Sequence, residues 1–197
     1  MAILVLTSDT LIGTAATGNI EYNGQFFGTD SNASRAQMQR ITQGTAVAST
    51  SGTSIDFTSI PAWVKRITVM FSGVSVSGTS VIQVQLGTSS GVETTGYSTM
   101  VGLISTTNNT TRGVIYTSGF GLSTSGAASD TWRGNIVFTL VTGSAWTGTG
   151  NFYNSTDGVT ISAGTKTTAA TLDRVRITTV NGTDTFDAGS VNILYEG

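Results

Sequence analysis

The 197-residue chain contains no histidine, no cysteine and a single proline. Without histidine or cysteine there is no Ser-His or Cys-His nucleophile pair and no common zinc ligand set, so hydrolysis by those routes is excluded. No disulfide can form, and stability must come from burial and association. Charge is scarce too. Charged residues make up 10% of the chain, and nine Lys plus Arg against eleven Asp plus Glu leave a formal net charge of −2. Such a chain raises no positive field that would gather phosphates, so no nucleic-acid partner is expected. Long apolar runs are also missing. "MAILVLTSDT" has a short run at Ile3, Leu4, Val5 and Leu6 with no basic residues ahead of it, so neither a secretory signal nor membrane insertion is expected.

What is present is hydroxyl, glycine and aromatic: sixty Ser and Thr, 25 Gly, 8 Phe, 5 Tyr and 3 Trp. Thr and aromatics suit pleated surfaces, while Gly, Asn and Ser suit connections, so the mixture favours short strands and many turns. In "SIDFTSIPAWVKRITVMFSGVSVSG", Ile67, Val69 and Phe71 share one face of a strand, and Arg66, Thr68 and Ser72 share the other. Further strands are expected at 81–86, 113–117, 135–141, 159–162, 172–180 and 191–195. Their even spacing predicts an all-β fold, an antiparallel β-sandwich or jelly roll over residues 51–197.

Residues 1–50 read differently. "GNIEYNGQFFGTD" places Asn23-Gly24 between Ile20, Tyr22 and Phe26, Phe27, a hairpin signal because both central residues tolerate positive φ. A short helix is expected at 36–41, followed by a Ser/Thr/Gly-rich linker and a boundary near residue 50. Ile3, Leu4, Val5, Leu6, Leu11, Ile12, Ile20, Tyr22, Phe26 and Phe27 lie ahead of that linker. Apolar residues outside the main domain need a partner, which makes these ten the candidate attachment residues. The other reading adds them as strands to the same core.

Candidate chemistry is sparse. "SGFGLSTSG" is glycine-rich but sits in a β-rich context with no following helix, so it reads as loop rather than phosphate cradle. "DTFDAGS" lacks the oxygen spacing of a calcium loop, and no metal or cofactor is expected. The closing "VNGTDTFDAGSVNILYEG" carries Asp184, Asp187 and Glu196. In extended chain Asp184 and Asp187 point to opposite sides, so a turn role outweighs an acid/base pair, and the chain is expected not to be an enzyme. Trp132, Trp146, Phe152 and Tyr153 are the candidates for stacking on a sugar ring; the alternative for them is burial.

"IPAWVKRITVMFSGVSVSGTS" and "LDRVRITTVNGTDTFDAGSVNILYEG" together resemble the C-terminal domain of phage tail-fibre-like and related virion proteins. "GNIEYNGQFFGTDSNASRAQM" is similar to a hairpin found upstream in such proteins, although the extended shaft of long fibres is missing. The resemblance implies a virion structural protein, often a homotrimer, assembled in the host cytoplasm. One form would be a surface knob that decorates or reinforces a capsid or builds a short fibre, with residues 1–50 attached to a capsid or tail protein. The other is a tail-fibre tip that binds host-surface glycan.

Overall fold

A computed structural model of the chain describes residues 19–197, apart from residues 23, 24, 31, 33, 106–110, 155 and 157. Among the described residues the regular elements are strands, with no helix. The chain divides between Arg40 and Ile41 into two compact units, ahead of the expected boundary near residue 50.

The first unit is a three-stranded antiparallel sheet of β1 (Ile20–Tyr22), β2 (Phe26–Thr29) and β3 (Arg35–Gln37). The expected hairpin is present: Tyr22 pairs with Phe26 and Ile20 with Gly28, while Asn23 and Gly24 lie outside the described residues. Tyr22 and Phe26 place their ring centroids 5.0 Å apart. Asp30 Oδ1 accepts the N–H groups of Asn32 and Ser34, both at 2.9 Å, and turns the chain into β3. There Arg35 pairs with Glu21. The helix expected at 36–41 is not formed. So short a segment cannot recover the nucleation cost of a helix, and β2 supplies backbone partners to 35–37 instead.

The second unit holds the other strands. They are β4 (Ile41–Gln43), β5 (Val47–Ala48), β6 (Ser54–Phe57), β7 (Arg66–Val76), β8 (Ile82–Thr88), β9 (Gly91–Val92) and β10 (Tyr97–Ser105). After these come β11 (Thr111–Tyr116), β12 (Phe120–Gly121), β13 (Trp132–Thr142), β14 (Ala145–Asn154), β15 (Gly158–Thr167), β16 (Arg174–Thr179) and β17 (Phe186–Glu196). The larger sheet runs β11-β10-β15-β14-β13-β7-β17-β4, with β5 also on β17; the smaller runs β12-β8-β16-β6, with β9 on β8. The expected linker thus contributes to the larger sheet, because Gln43 pairs with Leu194 and Val47 with Val191. Its polar composition hid this, since a strand with exposed side chains needs few apolar residues.

The two antiparallel sheets pack as a β-sandwich over one core. β7 turns Ile67, Val69 and Phe71 inward, β13 adds Ile136 and Phe138, and β8 and β16 face them with Ile82, Val84, Leu86, Val175 and Ile177. Phe120 sits edge-on to both Phe138 and Tyr97, and Phe71 edge-on to Phe152, the arrangement ring quadrupoles prefer. Gly148 makes the ring packing possible: a Cβ there would stand 2.6 Å from Phe120 and 2.8 Å from Phe138.

Candidate functional site

On β15, toward one end of the larger sheet, the ordinary inside-out pattern is reversed. β15 reads "GVTISAGTKT", and its hydroxyls Thr160 and Ser162 are fully buried while Val159 and Ile161 face out. The pairing register extends that outer surface across four strands. Ile104 lies opposite Val159, which lies opposite Tyr153; Ile115 lies opposite Met100; and Ile161 sits between these two rows. These six side chains are between 43% and 72% exposed. They form one uncharged apolar surface on β11, β10, β15 and β14, where isolated exposed apolar residues would need no explanation.

The inward hydroxyls follow from what covers them. Between β11 and β13 the chain is mostly irregular, and beside the buried side chains of Phe120 and Leu122 it turns backbone carbonyls toward the sheet. Thr160 Oγ1 donates to Leu122 O at 2.6 Å, and Thr99 Oγ1 lies 2.8 Å from Gly119 O and 3.0 Å from Tyr116 O. Tyr116 donates to Ser123 O at 2.7 Å, and burial pushes its phenol up to about 12. Buried carbonyls need donors, which accounts for the inward Thr160, while Ser162 Oγ beside it has no hydrogen-bond partner among the described residues; β15's apolar residues are left on the outside.

The same inner row ends in a buried cation. Lys166 Nζ pairs with Glu93, donates to Thr95 O at 3.0 Å and stands 5.1 Å from the centre of the Tyr97 ring. Burial opposes the Glu93 carboxylate, but hydrogen bonds from Lys166 and from Ala169 N–H (2.8 Å) outweigh it and hold its pKa below the ordinary glutamate value. Tyr97 OH accepts Leu86 N–H at 2.7 Å and reaches Glu93 O at 2.8 Å; burial drives its pKa upward. Each group is committed to a structural partner, so the cluster clamps the loop before β10 to β15.

The residues singled out in the sequence are dispersed. Trp132, Trp146 and Phe152 are 3%, 4% and 1% exposed and lie in the core, so their rings present no face to a sugar; the burial alternative describes them. Trp146 Nε1 has no hydrogen-bond partner among the described residues. Tyr153, on the opposite face of β14, is half exposed and belongs to the apolar surface. Of the candidate attachment residues, Ile20 and Phe26 are exposed and Tyr22 and Phe27 half-buried, while Ile3, Leu4, Val5, Leu6, Leu11 and Ile12 lie outside the described residues.

The three terminal carboxylates do not converge either. Asp184 accepts Ser80 N–H at 2.9 Å and Asn181 Nδ2 at 2.8 Å, and the Asn181 bond, then the Ser80 bond, holds its pKa below the usual aspartate value. Asn181 Oδ1 accepts Thr183 N–H at 3.0 Å, and Gly182 takes φ 70°, which closes the turn. Asp187 accepts the Ser75 hydroxyl, and Glu196 pairs with Arg66 at 3.5 Å. Among the described residues no group of three or more acidic side chains could hold a metal ion.

Sequence reasoning identified 159–162 as a strand but missed its reversal. Alternation was visible there, yet two alternating faces do not say which one meets solvent. Comparison of the chain with protein-family models, with curated protein sequences and with solved structures gives no match.

Proposed function

We propose that this chain is a non-enzymatic structural protein of a phage virion, a surface knob that decorates or reinforces the capsid or builds a short fibre, and that it assembles with copies of itself. The observation that carries self-assembly is the apolar outer surface of β11, β10, β15 and β14. A second copy is the occupant it fits. The six side chains carry no charge that would call for a complementary partner. They expose on the order of 600 Å², within reach of the roughly 800 Å² that each partner gives to a stable interface. β11 also ends the sheet, so its outer backbone edge adjoins the same surface.

The resemblance of the segments around Trp63 and Leu172 supports the virion setting, and it is that resemblance, not the apolar surface itself, that makes a trimer the expected assembly. The first unit, with Ile20 and Phe26 exposed, is the attachment element, docking on a capsid or tail protein. Quantitative mass spectrometry of purified particles tests the reading. It should find the chain in the particle, at a copy number that follows the capsid lattice for a decoration knob or the tail symmetry for a fibre; its absence from the particle would end the virion proposal.

A further inference from the structure

The apolar surface of the larger sheet has a gap in its middle. On its outer face β10 presents Met100, Gly102 and Ile104, β11 presents Thr111, Gly113 and Ile115, and the register sets Gly102 directly opposite Gly113. Ile104 and Thr111 stand on one side of this pair and Met100 and Ile115 on the other, while Ile161 of β15 lies opposite Gly102 and closes the inner end. The result is a short slot with a backbone floor and largely apolar walls, open toward the free edge at β11.

Nothing in the fold itself asks for glycine at Gly102. Neither Gly102 nor Gly113 takes a positive φ, and glycine inside a strand weakens it, because it loses more freedom on folding and packs no side chain. A Cβ at Gly102 would meet nothing within 4 Å, and one at Gly113 would run into the tip of the flexible Met100 side chain. A strand glycine left bare in this way marks a place where another molecule comes close to the backbone.

The same surface carries the side chain that fits. Tyr153 of β14 is 50% exposed, more than any other aromatic residue described in the second unit. Its ring is flat, as the slot floor is, and a ring laid over strand glycines covers backbone that no side chain shields. Methionine packs adaptably against aromatic rings, so Met100 can swing off Gly113 and become a wall. The Thr111 hydroxyl at the outer end offers the phenol a hydrogen bond. In its own chain Tyr153 lies two strands away, beyond Val159 and Ile161, and stays outside the slot.

We infer that the Tyr153 ring of one copy enters the slot over Gly102 and Gly113 of the next. Ring and slot sit at opposite ends of one surface, so the contact is head-to-tail, the kind that closes into a cyclic assembly. The inference rests on the self-assembly reading and adds to it the residues that set the contact.

Light scattering and sedimentation of the full chain test it with single substitutions. Gly102→Val fills the slot where the chain leaves room, and Tyr153→Ala removes the ring. Each should raise the dissociation constant about thirtyfold or more, the loss expected at an interface hot spot, with an unchanged β spectrum. Tyr153→Phe keeps the ring and should assemble as the native chain does. An equimolar mixture of Gly102→Val and Tyr153→Ala, each lacking the half of the contact that the other keeps, should recover a dimer of one copy of each. Its mass would be twice the 20.3 kDa of one chain, and two variants that were merely weakened would not give it. A native chain that is monomeric would remove the self-assembly reading and the inference with it. A native oligomer that survives Gly102→Val or Tyr153→Ala, or a mixture that yields no dimer, would overturn the inference and leave self-assembly standing.

Discussion

Strands β7 and β15 lie in one sheet and obey the same two-residue alternation, yet they aim their apolar side chains in opposite directions. Ile67 and Val69 of β7 are fully buried, whereas Val159 and Ile161 of β15 face out and Thr160 and Ser162 face in. The difference lies in what each strand meets. β7 lies over the apolar rows of β8 and β16, where side chains without polar atoms pack best. β15 lies under the irregular chain between β11 and β13, whose carbonyls require donors. Inward polarity at Thr160 therefore answers a hydrogen-bonding requirement, and the outward apolar surface of β15 is the one proposed to meet a second copy.

The sharpest contrast comes from truncating the inward side of the β7 end. Phe138→Ala removes a ring packed against Phe120 and should cost about 4 kcal/mol in chemical unfolding. Ile161→Asp, on the outward side of β15, should change the stability of the isolated chain by no more than about 0.5 kcal/mol. Similar costs for the two would erase the distinction between the regions.

Glu93→Gln tests the inner clamp of the β15 end. It strands the buried Lys166 and should cost about 2 kcal/mol, a buried-pair figure reduced because Glu93 is partly exposed. Adding Lys166→Met should restore part of the loss. The Glu93 pKa is lowered on folding, so its contribution is complete above the ordinary glutamate value of 4.5 and is lost as pH falls through the lower folded value. A pH series of melting temperatures should show that acid-side loss in the native chain and a smaller one in Glu93→Gln. Thr160→Val probes the hydroxyl logic alone: leaving Leu122 O unpaired should cost about 1.5 kcal/mol in the same unfolding assay, and a stabilised variant would show that the carbonyl needs no donor.

The smallest effect belongs to the terminal turn. Asp184→Asn weakens the Ser80 and Asn181 contacts of an exposed carboxylate, so a slight drop in melting temperature at neutral pH is expected, vanishing at a pH low enough to protonate Asp184. A drop that persists in acid would mean that the charge is not what matters there.

How much of this could be read from the residues varied along the chain. β7 and β17 were legible because Ile67, Val69 and Phe71, or Val191 and Ile193, alternate cleanly over an apolar core. β14 was missed because Gly148 and Gly150 occupy inward positions where an apolar residue would have signalled a strand, leaving space that neighbouring rings fill. β4 and β5 were missed because strands of three and two residues, with Ile41 and Val47 exposed, are too short to show an alternation. The aromatic candidates misled in a physical way: large rings signal burial as readily as binding, and Trp132, Trp146 and Phe152 went to the core. The outward surface of β15 was invisible because its orientation depends on a covering loop distant in sequence.

The mass of the chain in solution tests the central claim most directly. Size-exclusion chromatography with light scattering at micromolar concentration should give three times the 20.3 kDa of one chain, and Ile161→Asp should elute as a folded monomer with an unchanged β spectrum. A native chain that is monomeric under these conditions, or an Ile161→Asp variant that still forms the native oligomer, would contradict the assignment of the β11, β10, β15 and β14 surface to self-assembly.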